Sequence, residues 1–202
     1  PATNQNEVLL KVANLKTYFN TTKNNFLDKN KRLVKAVDDV SFEIRQGETL
    51  GIIGLSGCGK TTLARSLIRL VDPLSGLIQS QDYDLTTIDK FDLRDVRKKM
   101  QLIFQDPYLS LNPKMTIGEA LMEPMKVHGI LKNEADRKER VIQLLSKVNM
   151  GREFFDRYPD DLSGGQRQRV VIARALTLNP ELIICDECVS ALDISSQATV
   201  LN

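Results

Sequence analysis

The sequence predicts an α/β fold with an inserted helical subdomain, and two observations support this prediction. Three short apolar runs have the length and composition of β-strands. They span residues 49–53, 100–104 and 182–185. Helical patterns at 63–70 and 162–178 alternate with these strands, whereas a longer helical stretch near 107–159 interrupts the alternation and indicates an insert.

The N-terminal region is expected to contribute two more strands. Residues 8–12 and 40–44 have strand-like patterns. The polar, basic stretch at 20–35 lies between them. Its positive charges could contact phosphate or lipid head groups, but we interpret it as a solvated loop, which is the usual environment of such a stretch.

Capping signals define the helices of the insert. One helix is expected over 116–127, and Asn133 is expected to cap a second helix over 134–148. His128, the only histidine, lies between these helices and is interpreted as a surface or packing residue.

Composition places the chain among ordinary globular proteins. It has 202 residues, of which 42% are hydrophobic and 27% are charged. The formal net charge of +2 does not indicate a nucleic-acid or anionic-membrane surface. No apolar run approaches the length of a transmembrane helix, and the start of the chain lacks the apolar core of a signal peptide.

The three cysteines favour a reducing compartment. An odd count, with no loop-rich framework around it, is untypical of a disulfide-stabilised secreted domain. Cys185 and Cys188 have C-x-x-C spacing, but we interpret them as structural thiols because the two residues between them are better explained by another role.

Residues 54–62 have the pattern of a phosphate-binding loop, G-x-x-x-x-G-K-T, between a strand and a helix. Glycines let backbone N–H groups turn toward phosphate oxygens, and the helix N-terminus adds a positive dipole end. Lys60 is expected to contact the β- and γ-phosphates, and Thr61 to bind Mg²⁺. The loop contacts to a nucleoside triphosphate are expected from Gly54, Ser56, Gly57, Cys58, Gly59, Lys60, Thr61 and Thr62. A glycine-rich turn without a ligand would lack this context.

Two carboxylates follow the apolar run at 182–185. A continuous apolar run is typical of a parallel strand buried on both faces, and ligands bind at the carboxyl ends of such strands. We therefore expect Asp186 to lie near Thr61 and help to hold Mg²⁺, and Glu187 to act as a general base on water. An acidic turn without function is the alternative, and the upstream phosphate loop argues against it.

A second potential anion site lies at the start of the last helix. Leu-Ser-Gly-Gly-Gln at 162–166, the signature segment, combines a serine N-cap with two glycines at a helix N-terminus. By itself this pattern indicates a helix cap or an anion site. It could bind a second ligand or complete the first site from another copy of the fold.

Taken together, these motifs resemble the nucleotide-binding domain of ATP-binding-cassette (ABC) proteins over essentially the whole chain. In order they are the phosphate loop, Gln105 after a strand, the helical insert, the signature segment, Asp186-Glu187 and Ser190-Ala191-Leu192-Asp193. Segments 34–42, 103–118 and 185–197 further resemble the ATPase subunits of oligopeptide and dipeptide importers. Importers of nickel or glutathione look similar.

The resemblance implies the remaining site residues. Phe19, with Tyr18 as its neighbour, matches the aromatic residue that stacks on adenine, although either ring could belong to the core. Gln105 matches the glutamine that contacts Mg²⁺ and the attacking water. Ser163 and Gly165 are expected to contact the γ-phosphate of ATP held by the opposite subunit, and Asp193 matches the residue that crosses the dimer interface near the loop. Gln166 is expected among the nucleotide-binding residues.

The resemblance also implies a domain layout. It has a P-loop NTPase core of the RecA-like type with an antiparallel β subdomain, formed by 1–106 and 160–202, and a helical subdomain at 107–159. The part after residue 202, with the family's γ-phosphate histidine, is expected to be absent, so we expect this chain to bind ATP but hydrolyse it weakly.

The implied partners are polytopic membrane permease subunits, a second ABC ATPase subunit in a homo- or heterodimer, and an extracytoplasmic solute-binding protein. The chain would then be peripheral on the cytoplasmic side of the inner membrane, and no nucleic acid is expected. A soluble non-transport ABC ATPase and a nucleotide-dependent regulatory module are the alternatives.

Two positions depart from the family pattern. Leu55 stands where peptide importers have Glu, and little change is expected because the backbone contacts phosphate there. Cys188 stands where the family has Pro, and loss of the fixed φ is expected to loosen the turn at Glu187.

Overall fold

The computed structural model describes residues 7–21, 32–81 and 83–187. The chain divides into two compact units, Pro1–Arg97 and Lys98–Asn202. Within the described ranges, no helix combines the length and apolar character needed to cross a bilayer.

The first unit is built on a four-stranded antiparallel sheet with the strand order β2-β1-β3-β4. The strands are β1 (Val8–Thr21), β2 (Arg32–Arg45), β3 (Ser75–Ser80) and β4 (Tyr83–Asp84). Both predicted N-terminal strands are present and longer than expected. We expected a loop over 20–35, and this prediction is wrong at both ends of the range, because Asn20 and Thr21 of β1 pair with Leu33 and Arg32 of β2. Residues 22–31 lie outside the described ranges.

A bulge in β1 sets which side chains face the core. Leu10 and Val12 are buried on one face, and the register then shifts before Leu15, which is also buried. Asn14 has a positive φ of 50° at this shift and turns outward, where its amide donates to Asp39 at 3.0 Å. The extra residue therefore moves Leu15 and Thr17 onto the buried face.

Helix α1 (Lys60–Leu67) packs against the first two strands. Its buried Leu63, Ala64 and Leu67 supply the apolar contact, and the Thr17 and Ser66 hydroxyls share a buried hydrogen bond of 3.0 Å. Helix α2 (Lys90–Lys99) reaches the end of α1, where Arg97 donates to the Ile68 carbonyl at 2.9 Å. Burial of this guanidinium lowers the pKa of Arg97.

The strand predicted at 49–53 is wrong. The described structure assigns no strand between the end of β2 and α1, and Ile53 is 99% exposed. A strand needs a neighbouring ladder, and among the described residues neither sheet extends to this run. Its apolar composition alone therefore does not produce a strand here.

The second unit combines a parallel strand pair with a helical layer. Strands β5 (Met100–Ile103) and β6 (Leu182–Cys185) pair in parallel, as expected from their positions in the sequence. The helices are α3 (Ile117–Val127), α4 (Glu134–Lys147) and α5 (Gly164–Leu176). The expected double-sided burial of β6 is wrong, since Ile183 and Cys185 are exposed: the described sheet has only two strands.

Local capping defines the three helices of this unit. Thr116 accepts a hydrogen bond from the Glu119 amide and Asn133 accepts one from the Ala135 amide, as N-caps of α3 and α4. Ser163 caps α5 in the same way. The predicted helices are therefore confirmed, with ends that differ by one or two residues. The predicted subdomain boundaries at 106 and 160 stay a prediction.

Arg174 of α5 ties three parts of the second unit together. Its Nε donates to the Ala120 carbonyl at 3.3 Å, and its Nη1 donates to the Ser110 carbonyl at 3.1 Å. Its Nη2 forms an ion pair with Glu123 at 2.9 Å. One side chain thus joins α5 to α3 and to the segment before α3.

Replacement of Arg174 by Met should lower the free energy of unfolding by about 2 kcal/mol, because hydrogen bonds from a charged donor are lost and partly buried acceptors are left unpaired. Urea unfolding followed by circular dichroism measures this change. Lys132→Met, at an exposed position, is the control and should change stability by less than about 0.5 kcal/mol. Equal effects of the two substitutions would contradict the bridging role of Arg174.

Candidate nucleotide-binding site

The phosphate loop (residues 54–62) needs glycine at two positions. Gly57 and Gly59 have φ values of 77° and 100°, where residues with a Cβ are disfavoured. Gly59 is also the N-cap of α1, and a Cβ there would collide with the backbone carbonyl oxygen of Ala36. The loop therefore lies directly against β2, and this close approach fixes where α1 begins.

The mouth of the loop carries positive charge. Lys60 folds back so that its Nζ donates to the Gly54 carbonyl at 2.9 Å and to the Leu55 carbonyl at 3.1 Å. Helix α1 has no side-chain cap at Gly59 and no acidic residue in its first turn. The positive end of its dipole and the Lys60 ammonium can both act on an anion at this point.

The other predicted loop residues line the same turn. Thr61 and Thr62 are half-buried in the first turn of α1. Ser56 and Cys58 are exposed, and Cys58 carries a free thiol. The Cys58 amide donates to the Leu55 carbonyl at 3.2 Å, which closes the loop. All eight predicted residues thus lie within the nine positions 54–62, in the loop and the first turn of α1.

The two candidate aromatic residues point to different faces of β1. The Tyr18 hydroxyl donates to Asp38, and the Lys35 ammonium lies 5.3 Å from the centre of the Tyr18 ring. The hydrogen bond with Asp38 raises the pKa of Tyr18, and the same bond, with one from Lys35, lowers the pKa of Asp38. Tyr18 is therefore already engaged on the outer face.

Phe19 lies on the face of β1 that meets α1. The register shift between Thr17 and Tyr18 skips Ala36 of β2, so β1 keeps its alternation and Phe19 shares a face with Thr17, which is hydrogen-bonded to Ser66 of α1. Its cross-strand partner is Val34, two residues from the Ala36 carbonyl that contacts the phosphate loop. With 40% of its surface exposed, the ring has an open face for stacking.

In the second unit, the register of the parallel strands brings two predicted catalytic residues together. Ile103 pairs with Cys185, and the Asp186 amide continues the ladder to the Ile103 carbonyl at 3.0 Å. Gln105 lies two residues after Ile103, and Glu187 lies two residues after Cys185. The Gln105 Nε2 donates to the Glu187 Oε2 at 2.6 Å.

Asp186 and Glu187 have different environments although they are adjacent. Asp186 is 7% exposed, whereas Glu187 is exposed and has a positive φ of 56°. The left-handed conformation costs a non-glycine residue about 1 kcal/mol. It turns the backbone directly after the strand, at the point where burial changes from Asp186 to Glu187.

The signature segment forms a reciprocal cap on α5. The Ser163 Oγ accepts a hydrogen bond from the Gln166 amide at 3.3 Å, and the Gln166 Oε1 accepts one from the Ser163 amide at 2.9 Å. The Ser163 hydroxyl keeps its hydrogen as a donor. Gly165 lies in the first turn, where backbone N–H groups point away from the helix toward an approaching anion.

The predicted Mg²⁺ ligands have the donor atoms that Mg²⁺ prefers. Thr61, Gln105 and Asp186 offer hydroxyl, amide and carboxylate oxygens, which suit a hard cation. The described residues contain no group of three or more His, Cys, Asp or Glu that could hold a metal.

Two residues singled out from the sequence are not described by the structure, and one expectation about a cysteine is wrong. Asp193 and Cys188 lie outside the described residues. Cys185 is disulfide-bonded, so the expectation of a reduced structural thiol is wrong for this residue. The sequence did not reveal the role of Ala36, whose backbone carbonyl excludes a side chain at position 59. Nothing in the local spacing of residues indicates that the two segments approach so closely.

The fold defines the class of protein. The dimeric structure of a post-hydrolysis state of the ATP-binding cassette MJ0796, bound to ADP and Pi, matches with a TM-score of 0.83 and 28% identity, over 95% of this chain and 79% of that one. Residues 37–190 match the family model described as ABC transporter. The chain therefore belongs to the ABC transporter family, and its α/β fold is that of an ATP-binding cassette.

Two relatives whose names describe transport functions are similar to most of this chain. The chain is 48% identical to the putative oligopeptide transport ATP-binding protein YkfD of Bacillus subtilis, over 96% of this chain and 57% of that protein. It is 46% identical to the glutathione import ATP-binding protein GsiA of Pectobacterium atrosepticum, over 97% of this chain and 31% of that protein. The chain thus spans little more than half the length of YkfD.

Replacement of Gly59 by Ala should weaken ATP binding at least about tenfold, because the added Cβ must push the loop away from Ala36. Equilibrium binding of a fluorescent ATP analogue measures the loss. Gly47→Ala is the matched control: its φ is also positive, at 76°, but its Cβ would meet open space. If both variants bind equally well, the collision does not control the loop.

Proposed function

We propose that this protein is the ATP-hydrolysing subunit of an ABC importer that takes up oligopeptides or dipeptides. The observation that carries the proposal is the hydrogen bond between Gln105 and Glu187 at the carboxyl edge of β5 and β6. It places an amide that can orient water beside a carboxylate that can accept a proton. The family membership makes ATP the expected substrate.

ATP would be held mainly by the first unit. The phosphate loop and Lys60 would bind the β- and γ-phosphates, because both the ammonium and the α1 dipole favour negative charge there. Phe19 would stack on adenine. Its position on the α1 face favours it over Tyr18, whose hydroxyl is bonded to Asp38.

Mg²⁺ would be held by Thr61, Gln105 and Asp186, whose oxygen atoms suit it. When bound, the ion neutralises charge on the phosphate oxygens. The low exposure of Asp186 limits competition from water for its carboxylate.

Glu187 would act as the general base of hydrolysis. Its carboxylate accepts a proton as water attacks the γ-phosphorus, where a new P–O bond forms and the bond to the bridging oxygen breaks. Gln105 would orient that water through the amide that already contacts Glu187. Lys60 would stabilise the charge on the departing ADP.

A second ABC ATPase subunit, identical or related, would complete each site. Ser163, Gly165, Gln166 and Asp193 would contact the γ-phosphate side of ATP on the opposite chain. The donor hydroxyl of Ser163 and the first-turn amides of α5 support this role. The dimeric state named for MJ0796 supports a two-chain arrangement.

Transport would require partners that supply the pore. Polytopic membrane permease subunits would contact the helical subdomain at 107–159, and an extracytoplasmic solute-binding protein would deliver the peptide. The chain would then be peripheral, on the cytoplasmic side of the inner membrane. The similarity to YkfD supports peptide uptake, and the similarity to GsiA supports glutathione as a second candidate solute.

Glu187→Gln should lower the hydrolysis rate of the assembled transporter by about 10²–10⁴-fold while ATP still binds, since only the proton acceptor is lost. Phosphate release and nucleotide binding are measured on the same vesicles. Glu181→Gln is the matched control: Glu181 pairs with Lys99 at 3.3 Å and precedes the same strand. A Glu187→Gln variant with the turnover of the unmodified protein would refute the base assignment.

Phe19→Leu should weaken ATP binding by about 5- to 150-fold, because stacking on a base contributes about 1–3 kcal/mol. Tyr18→Leu should have little effect. Inorganic tripolyphosphate, which has no base, should bind all three proteins equally, and isothermal titration measures both ligands. A loss that is equal for ATP and tripolyphosphate would show that Phe19 supports the loop rather than adenine.

A further inference from the structure

A side-chain stack joins the segment after Gln105 to the signature segment. The Arg167 guanidinium carbon lies 4.2 Å from the centre of the Tyr108 ring. Arg167 is in the first turn of α5, directly after the signature segment, and Tyr108 is three residues after Gln105. A guanidinium over an aromatic face is an attractive contact that holds both groups in a defined orientation.

Arg167 is anchored on the signature side. Its Nε donates to the Leu162 carbonyl at 3.2 Å, and its Nη2 pairs with Asp160 at 3.4 Å. Its side chain is only 12% exposed. Gly164 lies beside the ring, since a Cβ there would be 3.8 Å from the Tyr108 hydroxyl, an ordinary van der Waals distance.

Tyr108 is anchored on the glutamine side. Its amide donates to the Asp106 carboxylate at 2.8 Å, and the Ser110 hydroxyl donates to the Asp106 carbonyl at 3.0 Å. Leu111, at the end of this turn, is buried. The ring is thus connected to Gln105 through a short hydrogen-bonded turn rather than an open loop.

We propose that Tyr108 and Arg167 are a pair of positioning residues that couple Gln105 to the signature segment, and so couple the two ATP sites of the dimer. This inference rests on the proposed function. In that dimer, Gln105 acts on the ATP of its own chain, whereas Ser163 and Gly165 act on the ATP of the opposite chain. A rigid link between them lets occupancy of one site favour the binding geometry of the other.

The pair acts through other residues and does not itself contact ATP. Its loss should therefore change cooperativity more than catalysis. In the complete natural protein, assembled with its partner subunits in lipid vesicles, the Hill coefficient for ATP should fall toward 1 in Tyr108→Leu and in Arg167→Met. The maximal rate should stay within about threefold, because Gln105 and Glu187 remain in place.

Two controls separate coupling from structure. Tyr108→Phe keeps the ring and should keep the cooperativity. Arg157→Met removes a different stack in the same unit, in which the guanidinium lies 4.6 Å from the Phe154 ring, and it should leave the Hill coefficient unchanged. Thermal melting of each variant checks that it folds. If Arg167→Met does not fold, Tyr108→Leu decides the test alone, because the exposed Tyr108 ring can be removed without opening the core.

The double variant gives the sharpest result. If the two residues act as one unit, Tyr108→Leu combined with Arg167→Met should lower cooperativity no further than either change alone. Independent, additive losses, an unchanged Hill coefficient in Tyr108→Leu, or an equal loss in Arg157→Met would each overturn the proposal. If the unmodified transporter hydrolyses no ATP, both the proposed function and this inference are overturned. If the unmodified transporter is cooperative and the variants keep its Hill coefficient, only the inference is overturned.

Discussion

The parallel register of β5 and β6 is the constraint on which the proposed pair of Gln105 and Glu187 depends. Because Ile103 pairs with Cys185, the next residues of both strands leave the sheet at the same level, and Gln105 meets Glu187. A shift of one residue would turn one of these side chains to the opposite face. The ladder bond from Asp186 to Ile103 secures the register at the point where the chemistry is expected.

The phosphate loop depends on a different kind of contact. Its position is set by the close approach of Gly59 to the Ala36 carbonyl, and α1 is in turn held on β1 by Leu63, Leu67 and the bond between Ser66 and Thr17. The same face of β1 carries Phe19. The antiparallel sheet thus places an aromatic ring and a helix N-terminus on one surface, which are the two features that a nucleotide requires.

Features encoded by local sequence could be predicted, whereas those set by distant partners could not. Thr116, Asn133 and Ser163 cap helices because each signal lies within three residues of its acceptor or donor. The apolar run at 49–53 carries no information about a neighbouring strand, so its prediction as a strand was wrong. Phe19 was named as the match, but whether either ring belongs to the core stayed open, because the bulge at Asn14 shifts the alternation.

Helix α5 shows how one element can serve the site without supplying its catalytic groups. Arg167 and Arg174 are seven residues apart, close to two helical turns, so both side chains leave the same face of the helix. Arg167 holds the Tyr108 ring and Arg174 holds the Ser110 carbonyl. The segment after Gln105 is therefore attached to α5 at two points, and the hydrogen-bonded turn at Asp106 connects both attachments to Gln105.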